Sequence, residues 1–247
     1  MYRFFEHALA PGLQNSQYAY KEALQAHCQP GIAWLDLGCG RRLLPDWMPT
    51  SQRDEAELLR RPRLYVGIDA DIPGLKTNGT SRHLIAGDIE ILPFKDETFD
   101  LATANMVMEH VRSPEKLLRE VRRVLRPGGE FLFHTPNLWG YTIIVARLLP
   151  QRVKMWLIRR LEGRGAGDIF STFYRLNTVP LIKALAFQHG MQVLESSLIE
   201  SSPETAVLGP LAIFELLLIR ALRTHLLSRF RTNLVIVLMK PRVPANG

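Results

Sequence analysis

Residues 34–42, with the sequence WLDLGCGRR, decide the fold of this 247-residue chain. An apolar run over residues 32–37 leads directly into glycines, a pattern typical of a buried parallel strand that ends in a tight turn. Glycines let the backbone turn sharply and approach a bound ligand closely. Asp36 can accept hydrogen bonds from the loop amides or from a cationic group of that ligand. A plain strand-to-turn glycine pair looks the same, so the motif alone is weak evidence.

Carboxylates also follow the next two predicted strands. Asp69 follows a strand over residues 64–68, and Gly87 and Asp88 follow a strand over residues 83–86. The carboxyl ends of parallel strands meet at one edge of a sheet, where nucleotide ligands bind. An acid after the second strand can accept both ribose hydroxyls, and one after the third can accept from an adenine amino group. Each acid alone fits a solvated loop, but the ordered series predicts a nucleoside site.

The remaining pattern alternates strands with helices or loops. Further strands are predicted over residues 99–104, 130–135, 191–195 and 233–239, and helices over residues 16–27, 113–125 and 179–189, whereas residues 41–63 look irregular. This order predicts a Rossmann-like α/β fold with a doubly wound, mostly parallel sheet. We expect a single domain over residues 1–247 with a core at 32–137. Helical insertions at 138–178 and 200–231 would lie on the substrate side or face a membrane.

Residues 34–137 resemble the class I S-adenosylmethionine-dependent methyltransferases, in particular the methyltransferase type 11 group that includes relatives of quinone-biosynthesis enzymes. The matching stretches are WLDLGCG (34–40), VGIDAD (66–71), LIAGDIEILPFKDETFDLATANMVMEHV (84–111) and LLREVRRVLRPGGEFLFHTPN (117–137). The resemblance implies S-adenosylmethionine as the cofactor. The residues that it implies as cofactor contacts are Asp36, Gly38, Cys39, Gly40, Asp69, Ala70, Asp88, Ile89, Asn105 and Met106.

The glycine turn departs from this family at one position. Arg42 stands where the family often has a third glycine, which puts the path of the loop in doubt. A nicotinamide cofactor is disfavoured, because Leu43 occupies the last glycine position of the dinucleotide motif.

Methyl transfer from a sulfonium is an in-line displacement that depends mainly on positioning and desolvation. A base is needed only if the acceptor must lose a proton. His110 follows the fourth strand on the side where an acceptor would lie, so it is the catalytic candidate. Alternatively, it caps the next helix or packs under a loop. His134 is a weaker candidate, because alternation with Phe131 and Phe133 would make it an edge or outward residue.

Three polar side chains before the helix at 179–189 form a candidate acceptor site. Tyr174, Arg175 and Asn177 combine an aromatic face, a fork of donors and an amide, which suits a polar or anionic acceptor. The alternative is structural: Asn177 or Thr178 caps the helix, and Arg175 pairs with a surface acid.

The positive charge is concentrated in the second part of the chain. Residues 138–247 carry 14 basic and 6 acidic side chains, against 17 and 18 in residues 1–137. Basic residues alternate with long apolar ones over residues 138–164 and 206–231, which predicts either contact with an anionic membrane surface or lid helices packed on the core.

Cys28 and Cys39 suggest neither a disulfide framework nor a metal site, and the first residues lack the apolar core of a signal peptide. We expect a cytoplasmic protein, with peripheral contact at the inner face of a membrane.

These patterns favour methyl transfer to a small-molecule acceptor, including lipid-linked or glycan-like compounds. A nucleic-acid methyltransferase would also explain the basic composition, but no nucleic-acid recognition module is visible. A non-catalytic relative that binds the cofactor remains a third interpretation. The acceptor atom and the oligomeric state stay open at this point.

Overall fold

A seven-stranded sheet forms the centre of the computed structural model, which describes residues 2–79, 83–148, 171–202 and 210–242. The strands lie in the order β3-β2-β1-β4-β5-β7-β6. The first five are parallel, and β7 pairs antiparallel with both β5 and β6. The predicted doubly wound, mostly parallel sheet is therefore confirmed. The strands are β1 (Ala33–Leu37), β2 (Leu64–Asp69), β3 (Leu84–Ala86), β4 (Phe99–Asn105), β5 (Leu125–Pro136), β6 (Gln192–Ile199) and β7 (Asn233–Met239).

Helices cover both faces of this sheet. Side chains alternate along a strand, so Leu35 and Leu37 of β1 face one layer whereas Trp34 faces the other. The first layer is built by α5 and α7, and the second by α2 and α3. The helices in the described residues are α1 (Tyr2–Leu9), α2 (Ser16–His27), α3 (Ser51–Leu59), α4 (Ile72–Thr77), α5 (Pro114–Val124), α6 (Tyr141–Leu148), α7 (Val179–Gln188) and α8 (Pro210–Leu222), with short 3-10 turns at Met108–His110 and Ser228–Phe230.

Helix α3 corrects the prediction that residues 41–63 are irregular. Its sequence, SQRDEAELL, has no apolar stripe to reveal it. The helix is held instead by tertiary contacts: Leu58 is buried, Asp54 pairs with Lys21 at 2.7 Å, and the Glu55 carboxylate accepts the Leu44 N–H at 3.3 Å. Periodicity cannot predict a helix that is stabilised mainly by partners elsewhere in the chain.

A smaller apolar cluster joins α1 to α8. Ala10 packs against Leu216 and Ile219, and Tyr141 of α6 donates a hydrogen bond to Glu215 at 2.7 Å. Helices α6 and α8 belong to the predicted insertions at 138–178 and 200–231. The parts of those insertions at 149–170 and 203–209 lie outside the described residues. Within the described residues, no helix is long and apolar enough to span a membrane.

Candidate active site

A cleft of about 690 Å³ opens at the carboxyl ends of β1, β2, β3 and β4. It is the place where the order of the strands reverses, at which α/β sheets bind their ligands. Eight of the ten residues predicted to contact a cofactor line it. These are Gly38, Gly40, Asp69, Ala70, Asp88, Ile89, Asn105 and Met106.

The turn after β1 depends on two glycines with left-handed backbone. Gly38 has φ +67° and Gly40 has φ +48°. A Cβ at Gly38 would lie 2.4 Å from a methyl carbon of Val107, so no larger residue fits there. Arg42, which replaces the expected third glycine, turns away to form an ion pair with Asp46 and does not line the cleft.

Asp69 closes the turn from the end of β2. One carboxylate oxygen accepts the Gly40 N–H at 2.7 Å, and the other accepts the Asp71 N–H at 2.7 Å. Asn78 donates to the Gly40 carbonyl at 2.7 Å and fixes the same loop. Each carboxylate oxygen has a further lone pair. Asp69 therefore holds the loop in place and can accept further hydrogen bonds in the cleft.

The side of the cleft next to β3 is organised by Asp88 and Glu90. Asp88 is exposed and accepts the Glu90 N–H at 2.8 Å. The Glu90 carboxylate in turn accepts the N–H groups of Arg112 and Ser113, both at 2.8 Å. Glu90 thus joins the loop after β3 to the loop after β4. Sequence reasoning missed this bridge, because nothing local distinguishes Glu90 from a solvated acid.

Asp36 and Cys39 do not line the cleft. Asp36 is buried beneath the turn, where it accepts from Thr103 at 2.7 Å and from Tyr65 at 2.9 Å. Burial raises the pKa of this carboxyl to about 6, against the opposing effect of both hydrogen bonds. Cys39 packs toward Gly67, where an added Cβ would lie 2.7 Å from its sulfur, and burial raises the pKa of its thiol. Both side chains support the turn from behind.

Asn105 is oriented by a buried histidine. Its amide donates to Gln17 at 2.9 Å, so its carbonyl oxygen accepts from His134 Nδ1 at 2.9 Å. The prediction of an edge or outward His134 is wrong: β7 covers β5, and the ring is fully buried and stacked on Tyr20. Burial lowers the pKa of His134 to about 3, which keeps the ring neutral. His134 therefore fixes the amide that faces the cleft.

His110 lines the cleft together with Met106 and Val107. We call the part of the cleft around His110 its outer end. The Nδ1 of His110 donates to the Ser171 carbonyl at 3.0 Å, because a carbonyl oxygen can only accept. Nε2 then carries the lone pair in the neutral ring, and it lies 4.0 Å from a Glu109 carboxylate oxygen. Burial raises the pKa of Glu109, which accepts from Thr135 at 3.0 Å. His110 thus lies under a loop, as one of the predicted alternatives proposed, and also faces the cleft.

The segment at 171–178 is anchored on the loop after β4. The Glu109 carbonyl accepts the N–H groups of Phe173 at 2.7 Å and Tyr174 at 3.1 Å. Phe173 lines the cleft, whereas Tyr174 is half-buried with a left-handed backbone at φ +53°. Phe173 was missed by sequence reasoning, because its place in the cleft depends on contacts with residues about 60 positions earlier.

Two predicted structural roles are not found among the described residues. Asn177 does not cap the helix, and Arg175 does not pair with a surface acid. Asn177 is fully buried and donates to the Thr135 hydroxyl at 2.7 Å and to the Pro136 carbonyl at 3.0 Å. Thr178 occupies the cap position without a side-chain cap hydrogen bond. Arg175 donates to the Arg112 carbonyl at 2.8 Å. Asn177 is an anchor of the segment, and Arg175 remains exposed beside the cleft.

Known proteins share the central part of this chain. Residues 35–133 match the family model described as a methyltransferase domain. The chain is 38% identical over 136 residues to the demethylmenaquinone methyltransferase of Corynebacterium kroppenstedtii, which covers 51% of this chain and 55% of the relative. It is 34% identical over 123 residues to the malonyl-[acyl-carrier protein] O-methyltransferase of Erwinia pyrifoliae, which covers 46% of this chain and 42% of the relative. The chain thus spans about half the length of these relatives.

The fold matches solved structures over a longer range. A SAM-dependent methyltransferase from Methanosarcina mazei superposes with a TM-score of 0.58 at 16% identity and covers 90% of this chain and 98% of its own. That likeness concerns the fold, whereas the family match concerns residues 35–133. Residues 35–133 are thus similar to a methyltransferase domain, and the fold of the chain is similar to that of a SAM-dependent methyltransferase.

Proposed function

We propose that the protein transfers a methyl group from S-adenosylmethionine to a small-molecule acceptor. The observation that carries the proposal is the cleft, in which the glycine turn, Asp69 and Asp88 meet at the reversal of strand order. When bound, the cofactor supplies a methyl group on a positively charged sulfur. Everything else in the reaction depends on how the chain holds the two reactants in line and excludes water.

The residues of the cleft fit the parts of this cofactor. Asp69 would accept the ribose hydroxyls, and Asp88 with Ile89 would hold the adenine. Asn105 and Met106 would contact the methionine part beside the glycine turn. Met106 has a left-handed backbone at φ +56°, a strain that often accompanies functional positions.

We propose His110 as the base for an acceptor that must lose a proton. The Ser171 carbonyl holds Nδ1–H at 3.0 Å, so Nε2 is the ring nitrogen that would take the proton of a hydroxyl or similar group. The nearby Glu109 carboxyl, 4.0 Å from Nε2, would stabilise the charged ring that results. Asn177 supports this arrangement from behind, because it anchors the segment that contains Ser171.

The acceptor class follows from the relatives only in outline. Their names refer to a demethylmenaquinone and to a malonyl-[acyl-carrier protein]. We therefore propose a small or carrier-linked acceptor, with lipid-linked and glycan-like compounds as candidates. Incubation with methyl-labelled cofactor and a fractionated lysate tests this: label in a small-molecule or lipid fraction is expected. Label that enters only nucleic acid would contradict it and favour a nucleic-acid methyltransferase.

We also propose peripheral contact with an anionic membrane. Phe214 of α8 is 70% exposed and Leu226, in the following turn, is 84% exposed. Leu217 and Leu218 extend the same apolar surface, and Arg220 lies beside them with its side chain exposed. Apolar side chains flanked by arginines suit the interface of an anionic bilayer, where each basic residue contributes about 1 kcal/mol.

Co-sedimentation with vesicles containing anionic lipid tests this contact. We expect binding at low salt that is lost in high salt, and a clear loss in the variant Phe214→Ser with Leu226→Ser. The matched control is Phe187→Ser on α7, which removes a side chain that is 86% exposed elsewhere on the surface. Equal binding by all variants, or no binding at low salt, would contradict the proposal.

A further inference from the structure

We infer that the acceptor carries an anionic group, such as a phosphate or a carboxylate, which Arg112 and Arg175 hold beside the ring of Phe173. This inference rests on the proposed methyl transfer, because it concerns the acceptor end of the same cleft. Arg112 and Phe173 line that end together with His110. Arg175 lies directly beside them, since it donates to the Arg112 carbonyl.

The two guanidinium groups are gathered around one aromatic ring. The Arg112 guanidinium carbon lies 5.6 Å from the centroid of Phe173, and that of Arg175 lies 5.8 Å from it. Phe173 itself is 37% exposed. The ring attracts and orients both cations, and the bond from Arg175 to the Arg112 carbonyl, at 2.8 Å, further limits their movement. The donors are therefore held in place at the cleft.

No carboxylate among the described residues lies within 4.0 Å of either guanidinium. Arg123 and Arg126, by comparison, each have an aspartate partner at 2.8 Å or less. Glu90, which contacts the backbone of Arg112, uses its carboxylate on the N–H groups of Arg112 and Ser113. Two like charges gathered at one place without an acid repel each other, and an anionic ligand removes that cost.

The charge of the cleft changes sign along its length. Asp69, Asp71 and Asp88 line the nucleoside end. Glu90 also lines the cleft, with its carboxylate bound to the backbone N–H groups of Arg112 and Ser113, and Arg112 lines the outer end. An anionic acceptor is repelled from the acids and attracted to the arginines, so its charged group binds at the outer end. Guanidinium groups offer paired donors that match the oxygens of phosphate and carboxylate. This arrangement selects an acceptor by its negative charge and places the remainder of the acceptor near His110.

The variant Arg112→Gln with Arg175→Gln tests the inference. Lysate metabolites are separated by anion exchange, and each fraction is offered to the protein with methyl-labelled cofactor. We expect the wild-type protein to label a retained fraction, and the variant to label it at least about ten-fold less, since a hydrogen bond to a charged group contributes about 1.5–3 kcal/mol. Phosphatase treatment of that fraction then separates a phosphate from a carboxylate.

Two controls make the result specific. Arg119→Gln with Lys183→Gln removes the same charge from exposed positions on α5 and α7, and it should label as the wild type does. The affinity for S-adenosylhomocysteine should stay within about two-fold in the Arg112 and Arg175 variant. Label only in the unretained fraction would overturn the inference, as would unchanged labelling by the variant. A parallel loss of S-adenosylhomocysteine affinity would also overturn it, since the arginines would then hold the cofactor's own carboxylate.

A direct probe separates this inference from the proposed function. Inorganic pyrophosphate is titrated into the wild-type protein and the double variant in a calorimeter. Binding by the wild type that is weakened about ten-fold or more in the variant supports the anion site even if no label is transferred. Absence of S-adenosylhomocysteine binding by the wild type would instead contradict the proposed methyl transfer. Equal pyrophosphate binding by both proteins would overturn the anion site alone.

Discussion

The two ends of the cleft are built in different ways. At the nucleoside end, each contact comes from a strand end and the few residues that follow it, as with Asp69 and the Gly40 N–H. At the outer end, His110 and Arg112 meet a segment that begins about 60 residues later in the chain. The nucleoside end is built by short local segments, whereas the outer end is assembled by tertiary contacts. Local sequence therefore predicts the site of the methyl donor, but it does not predict the site of the methyl acceptor.

Among the variants that affect one end of the cleft, Gly38→Ala is expected to cause the largest change, a loss of cofactor affinity. The added Cβ would lie 2.4 Å from the branched, stiff side chain of Val107, and the position has φ +67°. We expect roughly a 100-fold or greater loss of S-adenosylhomocysteine affinity by calorimetry. The matched control is Gly31→Ala, which has φ +79° but open space around the new Cβ. Similar affinities in the two variants would show that the crowded turn does not shape the site.

His110→Ala tests the outer end, where we expect an effect on turnover and little effect on cofactor affinity. We expect turnover to fall about 100-fold, the lower range for loss of a positioned base, while S-adenosylhomocysteine affinity changes little. The measurement is the initial rate of label transfer to the responsive lysate fraction. His225→Ala, at an exposed position far along the chain, is the control. Unchanged turnover would remove His110 from the mechanism and leave positioning alone to account for the rate.

Asp36→Asn examines the buried support beneath the nucleoside end. Burial raises the pKa of this carboxyl to about 6, whereas it is near 4 in an unfolded chain. Between about pH 4 and 6 the folded state therefore holds a proton that the unfolded state has lost, and stability falls as the pH rises through this range. Relative to the wild type, the variant should gain about 2 kcal/mol in free energy of unfolding between pH 4 and pH 7.

Urea denaturation at each pH measures this difference. Asp46→Asn is the control, because it removes a carboxylate whose side chain is 71% exposed. We expect its difference from the wild type to change far less with pH. A pH-independent difference for Asp36→Asn as well would mean that the buried carboxyl does not take up a proton on folding.

Asn177→Ala is expected to have a smaller effect, on folding. It removes the buried amide that donates to Thr135 and Pro136, so both acceptors lose that hydrogen bond. We expect a loss of about 2 kcal/mol in the free energy of unfolding. Arg175→Ala, a change at an exposed neighbour, should alter stability by less than about 0.5 kcal/mol. If the two variants were equally stable and Asn177→Ala lost acceptor binding alone, Asn177 would be a contact of the acceptor.

The same division explains what the sequence could predict. The strand pattern and the acids at Asp69 and Asp88 predicted the sheet and most of the nucleoside end. Glu90, Arg112 and Phe173 were missed, because each acquires its role from a partner that is distant in the chain. His134 was misplaced because alternation shows which residues share a face, but not that β7 pairs with β5 or that Tyr20 of α2 stacks on the ring. Helix α3 was missed because its stability depends on Lys21 and other tertiary partners.

The central claim is that the cleft binds S-adenosylmethionine through Asp69 and the glycine turn. Titration calorimetry with S-adenosylhomocysteine, on the wild type and on Asp69→Ala, tests it most directly. We expect one site per chain in the wild type and an affinity about 100-fold lower in the variant, because the change removes both the ribose acceptor and the acceptor for the Gly40 N–H. No binding by the wild type, or equal affinity in the two proteins, would contradict the account.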